Sequence, residues 1–192
     1  MDDPQDFPAE AIQTAIQRLK RADMSGLETL VECYQAKAVR IAFLITQDEP
    51  AAEDVVQDTF IRITQRIRYF DDTRPFEPYL MHSVVNAALN TARQANKSGP
   101  LTDDPSEVEA ILSRAASPEA QVEAGQLTQE VLAALSKLSP RQRAVIVQRY
   151  YLEMSEKEMA DALQSAPGTV KWLLNAARTR LRDLLRSERS AK

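Results

Sequence analysis

One cysteine, Cys33, and one histidine, His82, are present in the 192-residue chain. A disulfide framework is excluded, and a Cys/His metal site would need at least two further ligands. Cys33 lies among Leu30, Val31 and Tyr34 at helical spacing, where a small buried thiol is the ordinary reading. No pair of carboxylates, metal set or nucleophile with a base clusters along the chain, so it does not read as an enzyme, and no cofactor is expected. Four glycines fit an all-helical protein. No apolar run approaches the roughly 18 residues of a membrane span; the best is Ile41–Ile45. The start, MDDPQDFP, is acidic where a signal peptide would be basic, so a cytoplasmic location is expected.

What is present is enough for a core, since 44% of the residues are hydrophobic. The net charge of −4 is distributed unevenly. Residues 1–136 carry 12 Lys and Arg against 22 Asp and Glu, a balance of −10, whereas residues 137–192 carry 12 against 6, a balance of +6. An acidic body with a basic end predicts weak intrinsic affinity for nucleic acid and a second, different partner for the body.

The basic end holds two helical patterns joined by a tight turn, from Ser155 to Leu185. Ser155 followed by Glu158 forms the pattern of a capping box, with Met159, Ala160 and Leu163 turned inward and the helix ending near Gln164. A second helix is expected to open at Ser165 and Pro167, a hydroxyl cap and a fixed φ, with Val170, Leu174, Ala177, Leu181 and Leu184 on one face. Lys171, Asn175, Arg178 and Arg182 then share the opposite face. Gly168, Thr169 and Lys171 could bring backbone N–H groups and a cation to a major groove. A solvated amphipathic helix is the plain alternative.

Before this end, residues 1–8 read as a leader and AEAIQTAIQRLKRA as a helix with Ile12, Ile16 and Leu19 along one side. Met24, Ser25 and Gly26 break it, and a core helix follows from Leu27 to Thr46. The next helix starts at Asp48 and Pro50 and runs to about Arg68. Val55, Thr59, Ile63 and Ile67 point inward; Glu53, Asp54, Gln57 and Asp58 form an acidic and amide patch, which helix-end electrostatics alone could explain. Tyr69–Pro78 reads as an ordered loop whose aromatics either plug a helical bundle or stack on an unpaired base. In the helix after it, Leu80, Val84, Ala88 and Ala92 share a face, while Asn86, Asn90 and Arg93 lie elsewhere. Asparagine has poor helix propensity, so Asn86 needs either a base edge or a neighbouring group as partner.

From Asn96 to about Pro118 regularity fails, with three prolines, a glycine and an excess of acids. Helical patterning resumes over 119–137 through Val122, Leu127, Val131 and Leu135, and restarts at Ser139 and Pro140. The expectation is an all-α chain of two small helical domains joined by a flexible acidic linker, the C-terminal one containing a helix-turn-helix. Its divisions are 1–25, leader and first helix; 26–96, first domain; 97–118, linker; and 119–192, second domain.

In this order the motifs resemble those of a bacterial extracytoplasmic-function (ECF) RNA polymerase sigma factor, over nearly the whole length. AEDVVQDTF at Ala52–Phe60 is similar to the polymerase-binding helix, and FEPYLMHSVVNAALN at Phe76–Asn90 to the segment that recognises the −10 element. LSPRQRAVIVQRYYLEMSEKEMADAL with APGTVKWLLNAARTRLRDLL is similar to the domain that reads the −35 element. The resemblance implies core polymerase and promoter DNA as partners, and admits an anti-sigma factor. It implies that Glu53, Asp54, Gln57 and Asp58 grip the clamp coiled coil of the largest polymerase subunit. It assigns Tyr69, Phe70, Phe76, Tyr79, Asn86, Asn90 and Arg93 to the −10 element, with a flipped base held by the loop and Asn86. Ser165, Gly168, Thr169, Lys171, Trp172, Asn175 and Arg178 fall to the −35 element, and the acidic linker to the RNA-exit path.

Some positions depart from the family pattern. Tyr79 stands where tryptophan is usual, Gln164 where a turn glycine is common, and Trp172 and Leu173 where small polar and basic residues are frequent. The −10 segment has Arg93 and Lys97 only at its end. Two other classes fit the bare residues: a dimeric helix-turn-helix regulator with an N-terminal sensing domain, and a helical interaction protein without a DNA role.

Overall fold

The structure is a computed structural model that describes residues 8–95 and 124–190, which are helical with no strand among them. The expected linker and the helical pattern preceding Ala124 lie outside the described residues. The chain divides into two compact units, Met1–Thr91 and Ala92–Lys192.

The first unit holds α1, Ala9–Lys20, α2, Ser25–Thr46, α3, Glu49–Arg66, and α4, Phe76–Ala95, as far as Thr91. Helix α1 buries Ala15, Ile16 and Leu19, with Ile12 half-buried. It stops at Arg21, and Ala22 takes a left-handed conformation at φ 62°. The break therefore falls before Met24, not across Met24–Gly26. Gly26 is instead buried in the first turn of α2, where a Cβ would overlap the Ala15 carbonyl and press on the Leu19 side chain. Absence of a side chain is what lets the first two helices approach.

Helix α2 carries the centre of this core: Leu30, Cys33, Tyr34, Ala38, Ile41, Ala42 and Ile45 are buried. Burial pushes the Cys33 thiol up, which fits an inert core residue. Asp48 caps α3 by accepting from Ala51 N at 3.0 Å, with Pro50 in the first turn. Val55, Thr59, Ile63 and Ile67 are all buried, and the Thr59 hydroxyl donates to the Val55 carbonyl at 2.7 Å. The α-helical pattern stops at Arg66 rather than Arg68, tightening into a 3₁₀ turn over Ile67–Tyr69. Helix α4 starts at Phe76, earlier than expected, because Pro78 falls in a first turn where its missing N–H costs nothing. Leu80, Val84, Ala88 and Ala92 are buried there.

In the second unit α5 spans Ala124–Ser136, α6 Pro140–Ile146, α7 Glu156–Ala162 and α8 Pro167–Ser190. A full capping box of Ser139 and Gln142 starts α6. The helix restarting at Ser139 and Pro140 is not uniform: after Ile146 it widens into a π turn over Val147–Tyr151. The Ser155–Glu158 capping box is formed, and its hydrogen bonds hold the Glu158 carboxyl below the usual range.

Helix α7 ends in a reversal at Leu163–Gln164, with Ser165 N donating back to Ala160 O at 3.0 Å. This is the Schellman arrangement, and Gln164 occupies its left-handed position at φ 48°. Ser165 does not cap α8. Its hydroxyl donates to Leu163 O, and the first intrahelical bonds run from Thr169 N and Val170 N to Ala166 O.

Two substitutions test these corners by urea unfolding. Gly26→Ala is expected to destabilise by about 1–3 kcal/mol through overpacking. Gln164→Gly is expected to stabilise by about 0.5–1 kcal/mol, since glycine adopts positive φ without steric cost.

Candidate nucleic-acid interface

On α3 the acidic and amide patch is outward: Glu53, Asp54, Gln57 and Asp58 are exposed. Asp54, Gln57, Asp58 and Ile61 follow helical spacing along one stripe, and Ile61 is 46% exposed. Asp58 pairs with Arg62 one turn on at 3.2 Å. The helix begins at Glu49, so the patch starts beyond the first turn, where the macrodipole effect has largely decayed. Helix-end electrostatics is therefore a poor account of it.

The aromatics after α3 divide into two groups. Phe70 and Phe76 are buried, their rings edge to face at 5.6 Å, with Tyr34 packed 5.9 Å from Phe76. They form the plug. Tyr79 is half-buried against them, 5.0 Å from Phe70, while Tyr69 is 76% exposed beneath the Arg68 guanidinium at 4.9 Å. Of the loop aromatics, the two tyrosines are the ones with surface to offer. Asn86 finds its partner one turn back, at 2.8 Å from His82 Nε2, so the poor propensity has a local reason. Asn90 and Arg93 are exposed.

Helix α8 presents a basic surface on a buried base. Val170, Leu173, Leu174, Ala177, Leu181 and Leu184 are buried, so Leu173, out of place against the family pattern, is a core residue. Gly168, Thr169, Lys171 and Trp172 are exposed at its N-terminal end, Trp172 by 47%. Asn175, Arg178 and Arg182 are only half-buried or shielded by neighbours, so the polar stripe flanks the core rather than opposing it. Arg178 Nε donates to the Tyr150 hydroxyl at 2.6 Å, with the guanidinium 5.4 Å from that ring. This bond occupies one of five guanidinium N–H donors and leaves the Nη fork. Tyr150 makes this contact from within the π turn.

Comparison with known families decides what these surfaces belong to. The Sigma-70 region 2 model matches residues 30–98 and the Sigma-70 region 4 model residues 128–181. The ECF RNA polymerase sigma factor SigL of Mycobacterium tuberculosis is 32% identical over 172 residues, 84% of this chain and 89% of that one. This chain belongs to the ECF sigma factors. SigW of Bacillus subtilis is 27% identical over 181 residues, covering 91% of this chain and 97% of SigW. Among solved structures, CnrH in complex with the cytosolic domain of CnrY matches with a TM-score of 0.60 at 22% identity, over 93% of this chain and 99% of that one. RpoE of Bartonella quintana in complex with the anti-sigma factor NepR matches at 0.59 and 20% identity, over 83% and 96%. At those identities the two structures establish the fold.

As a sigma factor the chain acts in promoter-specific transcription initiation, a non-catalytic role. Among the described residues no cluster of His, Cys, Asp or Glu could hold a metal, and no helix is long and apolar enough to cross a membrane.

The Tyr150–Arg178 link can be measured as a coupling. A double-mutant cycle of Tyr150→Phe and Arg178→Met, followed by urea unfolding, is expected to give about 1–2 kcal/mol. Additive losses would show that the hydroxyl and the guanidinium act separately.

Proposed function

We propose that the first unit docks on core RNA polymerase through Glu53, Asp54, Gln57 and Asp58 of α3 and that α8 carries the −35 contact. The observation supporting this reading is the pairing of an outward acidic stripe with a basic helix surface in two separate units. Polymerase supplies most of the binding energy, which lets the free protein be acidic overall and bind promoters poorly alone. Lys171 and Arg178 take phosphates, with Ser165, Gly168, Thr169, Trp172 and Asn175 nearby for backbone or base-edge contact. The −10 base is trapped at Tyr69 and Tyr79, with Asn86, Asn90 and Arg93 along α4 and Phe70 and Phe76 supporting from beneath.

The divisions 26–96 and 119–192 then correspond to the polymerase and −10 unit and to the −35 unit. The acidic stretch 97–118 joins them along the RNA-exit path, where carboxylates resemble a transcript backbone in charge. A cytoplasmic location and regulation by an anti-sigma factor complete the reading. CnrH and RpoE are each in complex with another protein chain, an anti-sigma factor in the case of RpoE, which supports the latter.

Capture of core polymerase on immobilised protein tests the docking face. Asp54→Lys is expected to weaken capture by more than about tenfold and Gln57→Ala by about fivefold, roughly 1.4 and 1 kcal/mol. Wild-type capture by both variants would overturn the assignment.

A further inference from the structure

Helix α1 lies before the Sigma-70 region 2 match, which begins at residue 30, yet it holds the segment that follows Tyr69. Gln13, Gln17 and Lys20 recur at helical spacing and form a polar stripe beside the buried Ala15, Ile16 and Leu19. Lys20 Nζ donates to the Phe70 carbonyl at 2.7 Å and faces Asp72 Oδ1, itself closed off from solvent, at 2.6 Å. Gln17 Nε2 donates to Asp72 Oδ2 at 2.6 Å, and Gln13 Nε2 to the Asp72 carbonyl at 3.2 Å. One stripe thus fixes the loop backbone at two points and engages both oxygens of one carboxylate.

The loop has its own short-range order as well. Asp71 Oδ1 accepts from the Thr73 backbone N at 3.0 Å and from the Thr73 hydroxyl at 2.7 Å. Those bonds shape residues 71–73 internally but do not anchor them to the helical body. The anchor comes from α1.

We propose that α1 is a clamp that presets the loop between α3 and α4 for capture of the −10 base, with Lys20 as its positioning residue. The proposal rests on the reading of this loop as the base pocket. Its physical basis is preorganisation: a loop ordered before binding does not lose that conformational freedom when the base arrives. Lys20 has its charge engaged by Asp72 and sits over the Phe70 carbonyl, so it acts through the loop rather than on a phosphate. The ring of Phe70 lies 5.0 Å from Tyr79, which gives the clamp a direct path to the pocket wall.

The test uses holoenzyme assembled from core polymerase and the full chain, binding single-stranded −10 oligonucleotides carrying each of the four bases in turn. Lys20→Met is expected to weaken the preferred oligonucleotide about tenfold and to flatten the base preference, as loss of a charge-assisted bond would. The slope of log affinity against log salt is expected to stay at its wild-type value, whereas loss of a phosphate contact would reduce it by about 0.7 on a single strand. Gln17→Ala, at an exposed residue, is expected to act in the same direction more weakly, and decides the matter if Lys20→Met fails to fold by circular dichroism. Wild-type affinity and preference in the Lys20 variant, or a reduced salt slope with preference intact, would overturn the clamp. Tyr69→Ala and Tyr79→Ala separate the two readings: if they also bind as wild type, the pocket assignment itself fails.

Discussion

Every helix end leaves backbone N–H or C=O groups that the helix cannot satisfy, and this chain has few glycines with which to turn corners. It closes those ends with side chains and with strained backbone. Asp48, Ser139 and Ser155 cap three N-termini, and Ala22, Gln47 and Gln164 take the left-handed conformation that ends helices. The candidate surfaces sit beside these closures. The loop between α3 and α4 follows the 3₁₀ end of α3, and the exposed start of α8 follows the reversal at Gln164.

Helix positions and inward faces were readable because burial repeats at the helical period. Val55, Thr59, Ile63 and Ile67 on α3, and Val170, Leu174, Ala177, Leu181 and Leu184 on α8, are all buried as their spacing requires. Corners were less readable, since they depend on what packs across them. Gly26 looks like a breaker by propensity, but its role is the close approach to Ala15, a contact between residues eleven apart in sequence. Ser165 has the right chemistry for a cap and spends its hydroxyl on Leu163 instead. Local propensity names the residue types a corner uses without naming their partners.

For the candidate site the limits follow the same line. The stripe on α3 is legible because polar residues interrupt an apolar period on one side. The loop aromatics are not separable by composition, and only packing distinguishes buried Phe70 and Phe76 from exposed Tyr69. Tyr150 and Lys20 are further removed: each meets its partner across 28 or more positions of chain, through a π turn in one case and a loop in the other.

The π turn over Val147–Tyr151 has a consequence for how this unit tolerates change in length. Each of its hydrogen-bonded rings encloses one residue more than an α-helical ring, so the turn is equivalent to a single inserted residue absorbed without breaking the helix. Wound as plain α-helix, the same residues would carry everything beyond them about 100° further round. Tyr150 would leave Arg178, and the chain would enter α7 in a different direction. The extra residue absorbed at this point therefore sets the direction in which the chain leaves α6.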